Sequence, residues 1–244
     1  MNKVIILLSL LFSSFIANGD ILKDFDSLGK NKVLLENAQA LFPEKKIEIV
    51  QERIVDRNWR HEFSPDYEVV SNGDNPYFHS QKLGFNYQLH INPYWSVGLK
   101  YQYNFNWLTE EGDRIIEDGR AKQDAIYRDD PNSREKPDPF IPELNWAQEN
   151  YLAFVNWYPI YGKFKFLNSG IVHFDLYTHL AAGQIKLRYN NSDLYQFGIG
   201  TGLWWSQHIT SRIEYKFSTY KTELYKDQSS IQTGNLSLSV GYLL

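Results

Sequence analysis

The sequence predicts an all-β fold, a transmembrane antiparallel up-and-down β-barrel of eight strands. Three observations lead to this prediction. Segments of about ten residues alternate between apolar and polar side chains, as strands between lipid and a lumen do. Aromatic residues make up 16% of the 244 residues, although the mean hydropathy is only −0.47. A barrel reconciles these values because only alternate residues face lipid. The first residues also have the features of an export signal.

Residues 1–19 are predicted to be a signal peptide. Lys3 supplies a positive charge, residues 4–16 are apolar apart from serines, and Ala17-Asn18-Gly19 offers small residues for cleavage. The apolar stretch is shorter than the roughly 20 residues that a membrane-spanning helix needs. We therefore expect removal rather than anchoring. Residues 20–45 would then form a periplasmic segment, either a short amphipathic helix or a flexible arm.

Composition excludes several kinds of site. The chain has no cysteine, so disulfides, thiol chemistry and thiolate zinc sites are excluded. Its formal net charge is −4, which argues against a basic surface for nucleic acid. We expect no cofactor, no metal ion and no nucleic-acid partner.

The strands are predicted from period-two alternation, which is clearest from Trp95 to Trp107. The same alternation recurs over residues 82–90, 172–182, 195–205, 209–218 and 236–244. Two further strands are weaker, because 149–161 is apolar on both sides and 47–59 mixes apolar with charged residues. Together they make eight, an even number as in bacterial barrels. A count that differs by one hairpin remains open.

Each predicted strand has one face towards lipid and one towards the lumen. The lipid-facing and girdle residues are predicted to be Trp95, Tyr101, Tyr103, Phe105, Trp107, Phe174, Phe197, Tyr215, Phe217 and Tyr242. A soluble β-sandwich or lipocalin-like barrel is the alternative, and it would turn this face inward. We favour the membrane barrel because the aromatic face is too continuous to be solvated. The glycines at 198, 200 and 202 also suit a narrow lumen.

A polar network is predicted to fill the lumen. Its members are Arg53, Arg57, Lys100, His173, Asp175, Tyr177, His179, Arg212, Glu214 and Lys216. Buried charges need partners, and the interior of an eight-stranded barrel is only wide enough for side chains. We therefore expect ion pairs that close the lumen. A narrow pore is the alternative.

Connection lengths predict the orientation of the barrel, which would span residues 46–244. The connections at 92–94 and 207–208 are short, as periplasmic turns are. Those at 60–76, 109–146 and 221–232 are longer, as extracellular loops are. The final strand carries Tyr242 and Leu244 at apolar positions, a pattern that the barrel assembly machinery is expected to recognise. Outer-membrane lipid and lipopolysaccharide are the other expected partners.

Several short stretches resemble the outer membrane beta-barrel domain family of myxobacteria and predatory Gram-negative bacteria. They are Ala40–Glu44, Ile49–Arg57, His90–Gly98, Phe105–Gly112, Asn156–Lys163 and His173–Tyr177. The resemblance implies a protein of the cell outer membrane. It implies no enzyme activity and supplies no catalytic residues.

Two groups of residues could carry chemistry, and each also has a structural explanation. His173, Asp175, Tyr177 and His179 share one strand face and could orient an imidazole or bind a metal. We favour a lumen plug, because no nucleophile lies at a defined spacing from them. The acidic residues of the 109–146 loop, such as Asp113 and Glu117, could bind a hard cation. We expect instead an exposed loop that could contact a surface ligand.

Two classes of function follow. The first is a non-enzymatic barrel with a structural or surface-interaction role through its extracellular loops. The second is a small outer-membrane enzyme that acts on lipid or peptide. It would need a serine or aspartate beside a histidine at the outer rim, where we place His61, His79 and His179. We predict no catalytic residue.

Overall fold

The computed structural model describes residues 55–71, 77–129, 144–166, 170–224 and 227–244. The predicted signal peptide, the segment 20–45 and Arg53 lie outside these residues. The described chain alternates between exposed and buried side chains along nearly every strand. This alternation follows from the sequence pattern, since successive strand residues point to opposite faces of a sheet.

Eight strands form one antiparallel sheet that closes on itself. Each strand pairs with its sequence neighbours, and β8 pairs with β1 so that Phe63 lies opposite Tyr242. Closure leaves no sheet edge along the paired lengths. The predicted eight-stranded up-and-down barrel is confirmed. The strands are β1 (Arg60–Ser71), β2 (Phe78–His90), β3 (Trp95–Leu108), β4 (Ala147–Phe166), β5 (Gly170–Leu187), β6 (Asn191–Trp204), β7 (Ile209–Leu224) and β8 (Asp227–Leu243).

The first strand is not where the sequence predicted it. We expected a strand at 47–59 and a loop at 60–76. The described part of the first range, residues 55–59, is a turn, and β1 occupies Arg60–Ser71. Pro65 lies within β1, opposite Phe85 on β2, and prolines argue against strands because they cannot donate to the ladder. The β1–β8 ladder skips Ser64 and Pro65 and resumes at Asp66.

The predicted loop at 221–232 is also wrong, because most of it belongs to a hairpin. Strands β7 and β8 remain paired up to Leu224 and Asp227. The connections at the same end of the barrel are residues 72–76, 109–146, 188–190 and 225–226, and we call this end the loop end. The turn end carries residues 91–94, 167–169 and 205–208. Only the connection at 109–146 is long.

That long connection contains a helix, α1 (Glu110–Asp129), which was not predicted from the sequence. Thr109 begins it: the Thr109 Oγ1 accepts a hydrogen bond from the Gly112 backbone N–H at 3.1 Å. Acidic residues fill the first turn, where they stabilise the positive end of the helix dipole. No described helix is long and apolar enough to cross a membrane.

An irregularity in β4 explains why its two faces looked alike in the sequence. The β4–β5 register shifts between Trp157 and Ile160. Pro159 lies in this bulge, where a missing N–H is tolerated. Tyr158 points into the lumen and is almost fully buried. The inward face of β4 therefore carries large side chains that fill space in the barrel.

Candidate functional site: the filled lumen and the long connection

The outer surface of the barrel is apolar. The predicted lipid-facing residues are exposed except Phe174, which is partly buried. Trp95 and Trp107 lie twelve residues apart on β3. At about 3.4 Å per residue and a tilt near 40°, they are separated by roughly 30 Å along the barrel axis. That distance matches the hydrocarbon thickness of a bilayer.

Outward-facing charges among the described residues lie near strand ends. Glu149 and Lys186 form one such pair near the loop end, with Lys186 Nζ 3.6 Å from Glu149 Oε1. Tyr151 donates a hydrogen bond from its hydroxyl to Glu149 at 2.8 Å. An exposed apolar belt of this height, with tryptophans at its ends, is the surface of a protein that crosses lipid. The chain is therefore a transmembrane β-barrel.

The lumen near the turn end is closed by a residue that precedes the first strand. Arg57 is 1% exposed, and its Nη1 lies 3.2 Å from Asp175 Oδ2. Its guanidinium carbon also lies 4.4 Å from the ring centroid of Tyr158. Trp204 donates from Nε1 to the same carboxylate at 2.6 Å and packs on Val55. Arg57 therefore closes the barrel as part of a buried ion pair between aromatic rings.

Further from the turn end, Glu62 on β1 contacts side chains on β2 and β7. Its Oε2 accepts a hydrogen bond from Arg212 Nη2 and lies 2.8 Å from His90 Nε2. Arg212 donates from Nη1 to Gln88 Oε1 at 2.8 Å. All four side chains are buried. The geometry satisfies a desolvated guanidinium with two acceptors on different strands.

A second cluster of charges lies closer to the loop end. Glu68 accepts from Lys82 Nζ at 2.7 Å, and its other oxygen lies 2.9 Å from Lys216 Nζ. Lys216 Nζ also donates to Glu214 at 2.9 Å. Tyr177 donates from its hydroxyl to the remaining oxygen of Glu214 at 2.7 Å. Carboxylates and ammonium groups thus alternate across the lumen.

The buried charges balance. The cationic side chains buried in the described barrel are Arg57, Lys82, Lys100, Arg212 and Lys216. The buried anionic side chains are Glu62, Asp66, Glu68, Asp175 and Glu214. Equal numbers of opposite charges in a water-poor interior reduce the desolvation penalty that isolated charges would carry. This balance favours a filled lumen over a channel with a charge preference.

Part of the inner wall is apolar instead of charged. Leu152, Phe154, Ile185 and Leu194 belong to one buried cluster on β4, β5 and β6, and Tyr220 packs against it. These residues point inward towards the loop end. Their burial gains free energy at about 25 cal/mol for each Å² of apolar surface removed from water. Close packing here fills the lumen without ion pairs.

The predicted lumen residues other than Arg53 are all buried inside the barrel. The four residues predicted to share a strand face, however, do not form one site. Each contacts a different partner: Tyr161 for His173, Arg57 and Trp204 for Asp175, Glu214 for Tyr177, and Asn156 for His179. No group of three or more metal-binding side chains converges in the described part of the chain.

Sequence reasoning missed three of the five buried carboxylates of the network because it missed β1. Glu62, Asp66 and Glu68 supply three of the buried carboxylates, and all three lie on that strand. The alternation of Phe63, Tyr67 and Val69 with these acids was the available signal. The three histidines that we predicted at the outer rim, His61, His79 and His179, do not lie together. His61 lies at the turn end beside the last residues of β8, not at the outer rim where we predicted it.

The glycines of β6 make room for large neighbours. A Cβ atom on Gly200 would lie 2.5 Å from Tyr177 Cζ, so only glycine allows the tyrosine ring to lie flat against β6. Gly202 differs, because a Cβ atom there would lie 3.7 Å from its nearest neighbour, Arg212 Cγ. The packing in the narrow lumen therefore depends on Gly200 more than on Gly202.

The first leg of the long connection is held against the barrel rim. The Thr109 backbone N–H donates to the Tyr77 carbonyl at 3.0 Å, and Thr109 O accepts from the Asp113 N–H at 2.9 Å. A Cβ atom on Gly112 would overlap the Tyr77 carbonyl oxygen. The first turn of α1 thus packs directly on the residue before β2.

The second leg is anchored to the β5–β6 turn. Asn145 donates from Nδ2 to Asn190 Oδ1 at 2.6 Å and to Thr222 Oγ1 at 2.9 Å. Arg188 stacks its guanidinium 4.5 Å from the Trp146 ring centroid. Both ends of the connection are therefore fixed on the barrel.

No family model and no curated protein matches this chain. Solved structures with a similar fold include Neisserial surface protein A, which is 8% identical with a TM-score of 0.38, over 75% of this chain and 95% of that one. Ail of Yersinia pestis is 10% identical with a TM-score of 0.34, over 77% and 99%. A de novo designed transmembrane β-barrel is 8% identical with a TM-score of 0.37, over 77% and 97%. At these values the similarity says nothing about the function of this chain.

Proposed function

We propose that this protein is an integral outer-membrane scaffold that holds the 109–146 connection at the cell surface. The loop end lies outside the cell, and the turn end lies in the periplasm. Outer-membrane lipid and lipopolysaccharide surround the apolar belt, and the barrel assembly machinery inserts the chain. The scaffold acts by contact with a surface ligand, not by transport.

The balanced, buried charge network carries this proposal. Ions cross a barrel through water, and the described lumen contains packed side chains where that water would be. Arg57 closes the turn end, and Glu62 with Arg212 crosses the middle. Transport would require several buried ion pairs to break together. The lumen therefore supports the barrel, and the long connection is left as the functional part.

The long connection is suited to contact because its two ends are anchored on the barrel and its first part is a helix. Its helix of 20 residues is about 30 Å long. Glu117, Asp118 and Arg120 on it are exposed, and so is Tyr127 at 46%. Function on rigid scaffolds concentrates in such connections. A helix whose first turn is fixed on the barrel can present charged and aromatic side chains to a ligand with little loss of conformational entropy.

Planar-bilayer conductance of the refolded barrel tests the closed lumen. Heat-modifiable gel migration of the same sample reports whether the barrel is folded. We expect folded protein to give no steady conductance. The double variant Glu62→Ala, Arg212→Ala removes the central ion pair, and its conductance is compared with that of the wild-type protein. Steady conductance from folded wild-type protein would contradict the closed lumen and favour the pore.

Cysteine labelling on whole cells tests the orientation, because the natural chain has no cysteine. Glu117→Cys places a thiol on exposed α1, and Asn58→Cys places one at the exposed turn end. A membrane-impermeant maleimide should label the first variant on intact cells and the second only after permeabilisation. The reverse pattern would place α1 in the periplasm and remove the surface role.

A further inference from the structure

A small cavity lies among the charged residues in the middle of the lumen. Side chains from six strands line it, including Asn86 on β2, Lys100 on β3 and His179 on β5. Its volume is about 10 Å³. One water molecule needs roughly 10–15 Å³ of such space. The cavity therefore accommodates one small molecule and no larger ligand.

Three of its lining side chains each direct a polar atom without a hydrogen bond into the buried interior. These atoms are Asn86 Oδ1, Lys100 Nζ and His179 Nε2. The residues are 7%, 4% and 2% exposed. Lys100 Nζ does form an ion pair, at 3.4 Å from Asp66 Oδ2, but makes no hydrogen bond. Buried polar atoms in native proteins nearly always have a partner.

The other polar atoms of these side chains are already engaged. Asn86 Nδ2 donates to Ser64 Oγ at 3.3 Å. His179 Nδ1 lies 2.7 Å from Asn156 Oδ1. A carbonyl oxygen can only accept, so His179 Nδ1 carries a proton, and in the neutral imidazole Nε2 then has a lone pair. The cavity is consequently lined by two free acceptors, Asn86 Oδ1 and His179 Nε2, and one free donor, Lys100 Nζ.

We propose that this cavity is a binding site for a single water molecule, which no ion can replace. Water can donate two hydrogen bonds, to Asn86 and His179, and accept one from Lys100. An anion cannot donate to the two acceptors. A metal cation would lie against the ammonium of Lys100, and the lining holds two cations, Lys100 and Arg212, against the one carboxylate of Glu214. The two acceptors and one donor therefore select a neutral molecule that both donates and accepts hydrogen bonds.

The water links Lys100, which pairs with Asp66, to His179. His179 belongs to a hydrogen-bonded set with Asn156 and Gln88, and Gln88 accepts from Arg212. This inference goes beyond the scaffold proposal and does not depend on what the long connection binds. It concerns how the centre of the lumen is completed.

A crystal structure of the refolded barrel, at a resolution that shows ordered water, tests the site. One crystal is grown with bromide and another with rubidium as the added ion, and anomalous scattering is measured for both. We expect a single peak within hydrogen-bonding distance of the three atoms, without anomalous signal. An anomalous peak there would show an ion site and overturn the proposal. An empty cavity would overturn it as well.

Two matched variants separate the site from the general polarity of the lumen. Asn86→Leu removes one acceptor, and we expect the peak to disappear while Lys100 and His179 remain. Asn104→Leu is the control, because Asn104 Oδ1 is also buried without a partner but does not line the cavity. The control should keep the peak. Loss of the peak in both variants, or in neither, would contradict the assignment. If Asn86→Leu does not fold, the peak and its anomalous signal in the wild-type crystals still test the proposal.

Discussion

Removal of Glu62 is the sharpest test of the lumen network. The side chain is 0% exposed and binds both Arg212 and His90. Breaking a buried pair from one side typically costs about 3–5 kcal/mol, because the remaining charge has no partner. Arg212 would keep its hydrogen bond to Gln88 at 2.8 Å. We therefore expect Glu62→Ala to lower the free energy of unfolding by about 3 kcal/mol, the lower end of that range.

The assay is equilibrium urea unfolding of the refolded barrel, followed by the fluorescence of its seven tryptophans. A double-mutant cycle with Arg212→Met isolates the pair, and the double variant should lose less than the sum of the single variants. Glu111→Ala is the matched control. Its partner Arg114 lies 2.7 Å away on α1, but the side chains are 43% and 68% exposed. Exposed pairs contribute about 0–1 kcal/mol.

Equal losses for Glu62→Ala and Glu111→Ala would refute the reasoning. They would mean that water reaches Glu62 freely, so that the lumen is not closed at that level. Additive effects of the two substitutions in the cycle would show instead that Glu62 and Arg212 do not interact.

Two further predictions concern packing and the membrane surface. Gly200→Ala should destabilise the barrel by about 1–3 kcal/mol, because its Cβ would displace Tyr177. Gly202→Ala should hardly change the free energy of unfolding in urea, since the nearest neighbour of its Cβ is 3.7 Å away. Equal losses of stability in the two variants would contradict the packing argument. Phe217→Arg puts a charge on the apolar belt and should lower the stability of the barrel in liposomes by about 2–4 kcal/mol. Gln232→Arg, close to the loop end, should lower the stability of the barrel in liposomes by about 0–1 kcal/mol. An equal loss of stability in both variants would contradict the assigned belt.

Strand β1 shows where local pattern reasoning fails. Its inward residues are Glu62, Ser64, Asp66 and Glu68, and such an acidic segment resembles a solvated loop. Pro65 on the outward face strengthens that impression. The strand is stable because Lys82, Lys100, Arg212 and Lys216 meet its carboxylates across the lumen. None of these partners is adjacent in sequence, so the local pattern favoured a loop even though Phe63, Tyr67 and Val69 alternate with the acids.

Helix α1 was missed for a different reason. The charges and prolines of residues 109–146 led us to expect an exposed loop. The local signals for a helix were present, because Thr109 can begin a helix and acidic residues follow it. The prolines of this connection start at Pro131, after the helix has ended.

The fold class, the apolar belt and the inward residues of most strands could be predicted from the residues alone. Period-two alternation is local, so each strand carries this information in its own residues. The tertiary structure alone decided which charges pair. Arg57 with Asp175 and Glu62 with Arg212 are 118 and 150 residues apart. Their contact depends on closure and on the register of eight strands together, and a one-residue shift in any strand would turn that strand's inward side chains to the lipid.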